Sequence, residues 1–249
     1  MSIMVPIAGD ERRRMYLLTT LTFVTGMVDG VGFVGLDHVF GGTATGNILI
    51  LGMALGGGAD LPIVGPLAAL VTFSLGAVVA GMLLRGHAGR DWVGTITAIR
   101  VVNALVLAGL AVVLAITRER FDLTVQVTVS SVTALVMGAQ AVIARRMAVA
   151  EMNTIVITLS LVAWVGESLV QPGTGIWNRR IVVVLVLFLG ALVGVALMRV
   201  HIGVPMALAA ALVMTIAVIG HRTLRTPPGV HVRRWISGAA PRRKRRTAS

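Results

Sequence analysis

The chain has 249 residues, of which 56% are hydrophobic and only 13% charged, about half the roughly 25% charged share of a soluble domain. Its mean hydropathy of +0.91 predicts an outer surface facing lipid, and the lack of cysteine excludes disulfides, thiolate metal ligands and cysteine nucleophiles. The net charge of +12 does not point to nucleic acid, because it collects at the two ends: nine of the 22 Lys and Arg residues follow His221, and three more are Arg12, Arg13 and Arg14.

After a 14-residue N-terminal segment comes Met15–Leu36. It meets the requirement of about 20 mostly apolar residues for a span. It is too long for the apolar core of a signal peptide and no A-x-A-like site follows, so it reads as an uncleaved first span. It carries Gly26, Asp29, Gly30, Gly32 and Gly35. An ionisable residue inside a span is expensive and normally faces protein or water, which makes Asp29 a candidate for coordinating a cation or proton. Hydrogen bonding to a neighbouring helix is the competing role. Gly26 and Gly30 form a small-xxx-small face that suits close helix packing.

Gly41-Gly42-Thr43-Ala44-Thr45-Gly46-Asn47 then leads into the apolar stretch Ala44–Leu55. A dozen residues suit a re-entrant or half-helix segment better than a span. Small polar residues before such a helix would present backbone N–H groups to an anion, and they also make an ordinary N-cap and turn. Spans are predicted at Pro62–Leu84, at Val93–Thr117, where Asn103 reads as a packing hydrogen bond, and at Leu123–Ala144, which carries Gln140. A second short segment, Asn153–Val170, bears Asn153, Thr154 and Thr158, with Glu167 near its end. The last two spans are Ile181–Val200 and Ile202–Gly220. Residues 221–249 form a basic tail, expected to be disordered and to anchor the protein on the positive-inside side, within reach of anionic lipid.

Arginine placement decides between six and eight crossings. With the N-terminus inside and six spans, Arg85, Arg90, Arg100, Arg145, Arg146, Arg179 and Arg180 fall inside, against Arg118, Arg120 and Arg199 outside. If both short segments also cross, Arg179 and Arg180 stay inside, Arg118 and Arg120 move inside, and the others of this set lie outside. Six spans are favoured, and both termini are placed in the cytoplasm.

The chain also shows an internal echo. Leu75-Gly76-Ala77 recurs as Leu189-Gly190-Ala191, and Arg85 recurs as Arg199, all at an offset of 114 residues. Gly26 matches Gly138 at 112, and Thr45 matches Thr158 at 113. The halves, residues 15–117 and 123–220, each read as a long span, a short segment and two long spans. Three crossings per half make the second half inverted, a recurrent plan of secondary transporters. On this plan the candidate substrate or ion site comprises Asp29, Gly30, Thr45, Gly46 and Asn47, with Gln140, Thr154 and Thr158 as inverted counterparts.

Gly26-Met27-Val28-Asp29-Gly30, Thr45-Gly46-Asn47, Met137-Gly138-Ala139-Gln140, Asn153-Thr154 and Thr158 together resemble the YoaK-like family of bacterial multi-pass membrane proteins, whose function is not established. The likeness covers nearly all the chain except the basic tail. Two positions depart from the family pattern: Ala44 stands where an apolar residue is expected before Thr-Gly-Asn, and Leu159 where a glycine often follows the second-half threonine. The resemblance implies six spans in a bacterial inner membrane and supplies no substrate.

The sequence therefore predicts an all-α polytopic transmembrane helix bundle of about six spans plus two short re-entrant or half-helix segments, with an inverted 3+3 repeat. Its partners are the lipid bilayer and a small solute, and a homo-oligomer is an arrangement such a bundle allows. No cofactor or nucleic acid is expected. The five histidines fall at or beyond span ends, and no H-E-x-x-H, P-loop, G-x-S-x-G or dinucleotide fingerprint appears, so a transporter is favoured over an enzyme. The rival classes are an intramembrane enzyme acting on lipid and a structural or regulatory membrane subunit.

Overall fold

The structure, a computed structural model, describes residues 8–58, 60–85, 90–117, 122–146 and 179–223. These form seven helices: α1 (Ala8–Gly35), α2 (Ala44–Leu55), α3 (Val64–Leu83), α4 (Arg90–Ile116), α5 (Leu123–Arg146), α6 (Arg179–Met198) and α7 (Gly203–Thr223). All except α2 are long and apolar enough to cross a membrane, the apolar part of α1 running from Met15 to Gly35. With no strand among the described residues, this is a polytopic helical membrane bundle, as the hydropathy pattern predicts. At 1.5 Å per residue α2 is about 18 Å long, well short of a hydrocarbon core of about 30 Å. The second short segment, Asn153–Val170, lies outside the described residues, as does the tail beyond Thr223.

The helices pair across long stretches of sequence: α1 packs along α6, α3 along α5, and α4 along α7. Glycines set the first two contacts. A Cβ on Gly26 would collide with the Leu187 carbonyl of α6, and one on Gly190 with the Phe23 carbonyl of α1. Gly138 meets the Phe73 carbonyl of α3 in the same way, and Gly76 the Leu135 carbonyl of α5. Between transmembrane helices there is little hydrophobic driving force, so such backbone approach, with its van der Waals contact and weak Cα–H···O bonds, holds the pairs.

Burial separates central helices from peripheral ones. Over half of the apolar windows of α1 and α5 is buried, against 22% of α3 and 17% of α6. The core gathers on α1, whose Val24, Met27, Val28 and Val31 belong to one buried apolar cluster with Leu107, Leu114, Ile143 and Met206. The large exposed side chains of α3 (Val71, Leu75, Val78, Met82) and α6 (Phe188, Leu189, Leu192) are apolar, which water would penalise and lipid does not.

Arg100 needs a correction. Counted above with the loop arginines, it lies inside the α4 span and is only 2% exposed. It leaves the topology count, and the six-span arrangement keeps its inside excess without it.

Candidate functional site

The site is built where α1 ends, the chain turns, and α2 begins. Asp29 is 6% exposed, six residues before the end of α1. Past Gly35 the backbone leaves the helix, and His38 takes the left-handed region at φ 49°. The Val39 N–H donates to the Gly32 carbonyl at 3.3 Å, folding the chain back along α1. This return brings Gly41, Gly42 and Thr43 onto Asp29. The Gly42 N–H donates to Asp29 Oδ1 at 2.6 Å, and the Thr43 hydroxyl donates to Asp29 Oδ2. The backbone amides of Gly41 and Thr43 also interact with the carboxylate.

The tip of α2 thus gathers N–H groups around an anion, and that anion is the chain's own. A carboxylate accepts such bonds at all its lone pairs, and bonds to a charged acceptor are about twice as strong as neutral ones. Thr43 stands at the N-cap position of α2, yet its side chain makes no capping bond. Its hydroxyl is committed to Asp29, so the expected ordinary cap is replaced by a latch between α1 and α2.

Asn47 makes a second latch. Its side-chain Oδ1 accepts from the Phe40 N–H at 2.8 Å, and its Nδ2 donates to the Phe40 carbonyl at 2.7 Å. Gly46 lies beneath the Phe40 ring, where a Cβ would come within 2.5 Å of the ring edge, and Phe40 stacks on Phe33 of α1 at a centroid distance of 5.0 Å. Each residue of Thr45-Gly46-Asn47 has its own position: Asn47 is buried and bonded, Gly46 admits an aromatic ring, and Thr45 is exposed in the first turn of α2.

Helix α5 closes the other side. Against the space a Cβ would need at Gly41 stands Thr133 Cγ2 at 2.8 Å, and against Gly42 stands Met137 Cε at 3.1 Å. Gln140 is buried one turn further along this α5 face. Gly30 does not join the cluster. It faces α6, where a Cβ would come within 3.0 Å of the Ala191 carbonyl, so with Gly26 it serves the helix packing that its small-xxx-small spacing suggests. Asn103 is likewise a packing bond, donating to the Val136 carbonyl of α5 at 3.3 Å. Thr154 and Thr158 lie outside the described residues.

Two residues that sequence reasoning passed over stand at this site. Ser130 and Thr133 of α5 are buried, and neither hydroxyl oxygen has a hydrogen-bond partner among the described residues. The available signal was their helical spacing from Gln140: positions 130, 133, 137 and 140 share one face.

A family profile matches residues 17–219, and that family is described as a protein of unknown function (DUF1275). The chain belongs to the DUF1275 family. Its similarity to the UPF0700 transmembrane protein YoaK of Bacillus subtilis (strain 168) is 28% identity over 148 residues, covering 59% of this chain and 64% of that protein. The matched part is thus less than two thirds of the relative's length. No solved structure matches the chain significantly. The DUF1275 assignment agrees with the YoaK-like resemblance carried by Gly26–Gly30, Thr45–Asn47 and Met137–Gln140, and makes this an integral membrane protein of an uncharacterised family.

Proposed function

We propose that this DUF1275 protein is a small-solute transporter or permease of a bacterial inner membrane, with both termini cytoplasmic. Its site lies where α1, the Gly41–Asn47 turn and α5 meet. The observation that carries the reading is a buried carboxylate at a break between a spanning helix and a half-length one, facing a polar stretch of another central helix. Broken helices at membrane depth occur where backbone lines a protected site, and transporters place binding there.

The glycine contacts support the inverted repeat on which this reading leans. Gly26 and Gly138 are 112 residues apart, and the carbonyls they meet, on Leu187 and Phe73, are 114 apart. Gly190 and Gly76 are 114 apart, and their carbonyls, on Phe23 and Leu135, are 112 apart. Exchanging the halves turns one interlock into the other. In the proposed site Asp29 holds the α2 tip in place and supplies negative charge, Thr45 and Gln140 contact solute, and Gly46 and Asn47 shape the turn. Gly30, first grouped with the binding residues, supports α1 from behind. Thr154 and Thr158 are proposed as the second half's contribution.

The test is uptake by proteoliposomes of a radiolabelled panel of amino acids, short carboxylic acids and sugars. Saturable uptake of at least one class is expected, with loss in Asp29→Asn, a variant that keeps one acceptor oxygen for the Gly42 N–H. Chemical turnover of bilayer lipid by the protein with no solute flux would overturn the reading in favour of an intramembrane enzyme. Function that survives Asp29→Ala but fails on deletion of residues 241–249 would point instead to a regulatory subunit.

A further inference from the structure

Helices α4 and α7 pack side by side, and a groove of about 700 Å³ runs between them. Such a volume lies within the range of about 300–1,000 Å³ typical of ligand pockets. Ala104, Ala108, Ala111 and Ala115 line it from α4, at a spacing that puts them on one helical face. Gly203, Ala207 and Ala211 line it from α7. A Cβ on Gly203 would come within 2.8 Å of the Ala111 carbonyl oxygen, so the two backbones approach closely at this end. Ala104 and Ala111 are buried, whereas Leu105, Val112 and Val204 at the edges are exposed. The groove therefore has a closed floor of small residues and an open side. That side faces hydrocarbon, since both helices are spans.

Length and polarity select the occupant. From Ala104 to Ala115 the floor covers about 16 Å at 1.5 Å per residue, against about 15 Å for half of a hydrocarbon core. Ala104 stands midway along the α4 span Val93–Ile116, and Ala115 stands at its end, so the groove occupies one leaflet. Both helices continue to the other membrane surface, where Thr97 Oγ1 and His221 Nδ1 lie 3.3 Å apart. A spanning helix of a second copy would run the whole depth, whereas an acyl chain stops near the midplane. Among the described residues, His201 is the one polar side chain in the lining, and it stands at the membrane-surface end, just before α7. Its Nδ1 accepts from the Gly203 N–H at 3.0 Å. The neutral ring then carries its proton on Nε2, a donor free to meet an ester or phosphate oxygen. Arg199, exposed two residues earlier, adds positive charge at the same end. An apolar trough one leaflet deep, with a donor and a cation at its head, matches the polarity of a phospholipid.

We infer that this groove holds a phospholipid of the adjoining leaflet, with an acyl chain along the alanines of α4 and α7 and a headgroup oxygen on His201 Nε2. On the orientation proposed above, that is the outer leaflet. The groove shares no lining residue with the Gly41 turn, so lipid binding here is independent of solute transport. The test is native mass spectrometry of the full chain, delipidated in detergent and titrated with phosphatidylglycerol. Saturable binding of about one phospholipid per chain is expected, as suits a groove of this size. Ala108→Leu/Ala207→Leu fills the groove and should weaken that binding at least about tenfold, with Tm in detergent no lower than the parent value. His201→Asp keeps an acceptor for the Gly203 N–H, since Asp and Asn side chains bond the backbone two residues on. It loses the donor and repels phosphate, and should also bind at least about tenfold more weakly. His201→Asn, which keeps both acceptor and donor, should bind like the parent.

Absence of saturable binding overturns the inference, as does unchanged binding in the double leucine variant or in His201→Asp. A detergent-stable dimer of the parent that the leucine variant splits into monomers would assign the groove to a second copy and overturn it too.

Discussion

The two sides of the central contact treat polar groups in opposite ways. On the α1 side, Asp29, Thr43 and Asn47 bond to one another or to the returning backbone. On the α5 side, Ser130 and Thr133 are as deeply buried and make no hydrogen bond among the described residues. A buried polar group normally finds a partner, and one left unpaired costs about 1–3 kcal/mol. The bonded side therefore behaves as framework, holding α2 against α1, while the other side carries two buried hydroxyls with no partner among the described residues. The sequence motif thus marks the framework, and the unpartnered hydroxyls stand on the helix opposite.

The largest effect is expected where both sides depend on a shared scaffold. Gly138→Leu would force α5 away from the Phe73 carbonyl of α3 and should cost about 3 kcal/mol, read as a lowered midpoint of denaturant unfolding in mixed micelles. Next comes the latch: Asp29→Ala leaves the Gly42 N–H and the Thr43 hydroxyl without their acceptor, for a loss of about 2–3 kcal/mol, seen by the same measurement. Asn47→Ala should cost about 1–2 kcal/mol and speed hydrogen exchange at the Phe40 amide, which that side chain now protects.

The opposite outcome is expected on α5. Ser130→Ala removes a hydroxyl with no partner among the described residues and should raise stability by about 1 kcal/mol, the cost of burying that group unpaired. A loss as large as that for Asn47→Ala would erase the contrast between the two sides.

The smallest effect concerns Asp37, in the turn just beyond the α1 span. Burial raises its carboxyl pKa above 3.8, against the opposing influence of His38 and the Gly65 amide. Folding therefore favours the protonated form, so its stabilising contribution is complete below pH 3.8 and is lost as pH rises through the folded value. Asp37→Asn should flatten that part of a thermal-stability profile taken against pH.

Much of the fold was legible because hydropathy in a membrane protein reports directly on the solvent. Among the described residues, six apolar runs near 20 residues and one of a dozen became six long helices and one short one. Arg100 was misplaced because loop-charge counting takes no account of burial inside the bundle. In a linear reading a charged residue in an apolar run and a Thr-Gly-Asn turn stand out, so Asp29 and Asn47 were singled out, and the structure brings both to the turn between α1 and α2. Ser130 and Thr133 were not, since hydroxyls are common in spans and usually bond their own helix.

The sequence by itself determined the solvent of this protein, the long helices among its described residues and the residues too polar to be ordinary lipid-facing ones. These follow from the local cost of burying charge and backbone in hydrocarbon, which depends on composition along the chain. Only the tertiary structure decided that Asp29 is the anion at the tip of α2, that Gly30 faces α6 and not the Gly41 turn, and that two α5 hydroxyls are buried with no partner among the described residues. Those outcomes depend on which helices approach closely enough to share a carbonyl or a hydroxyl, and that is a property of packing between residues more than 100 positions apart, such as Gly26 and Leu187.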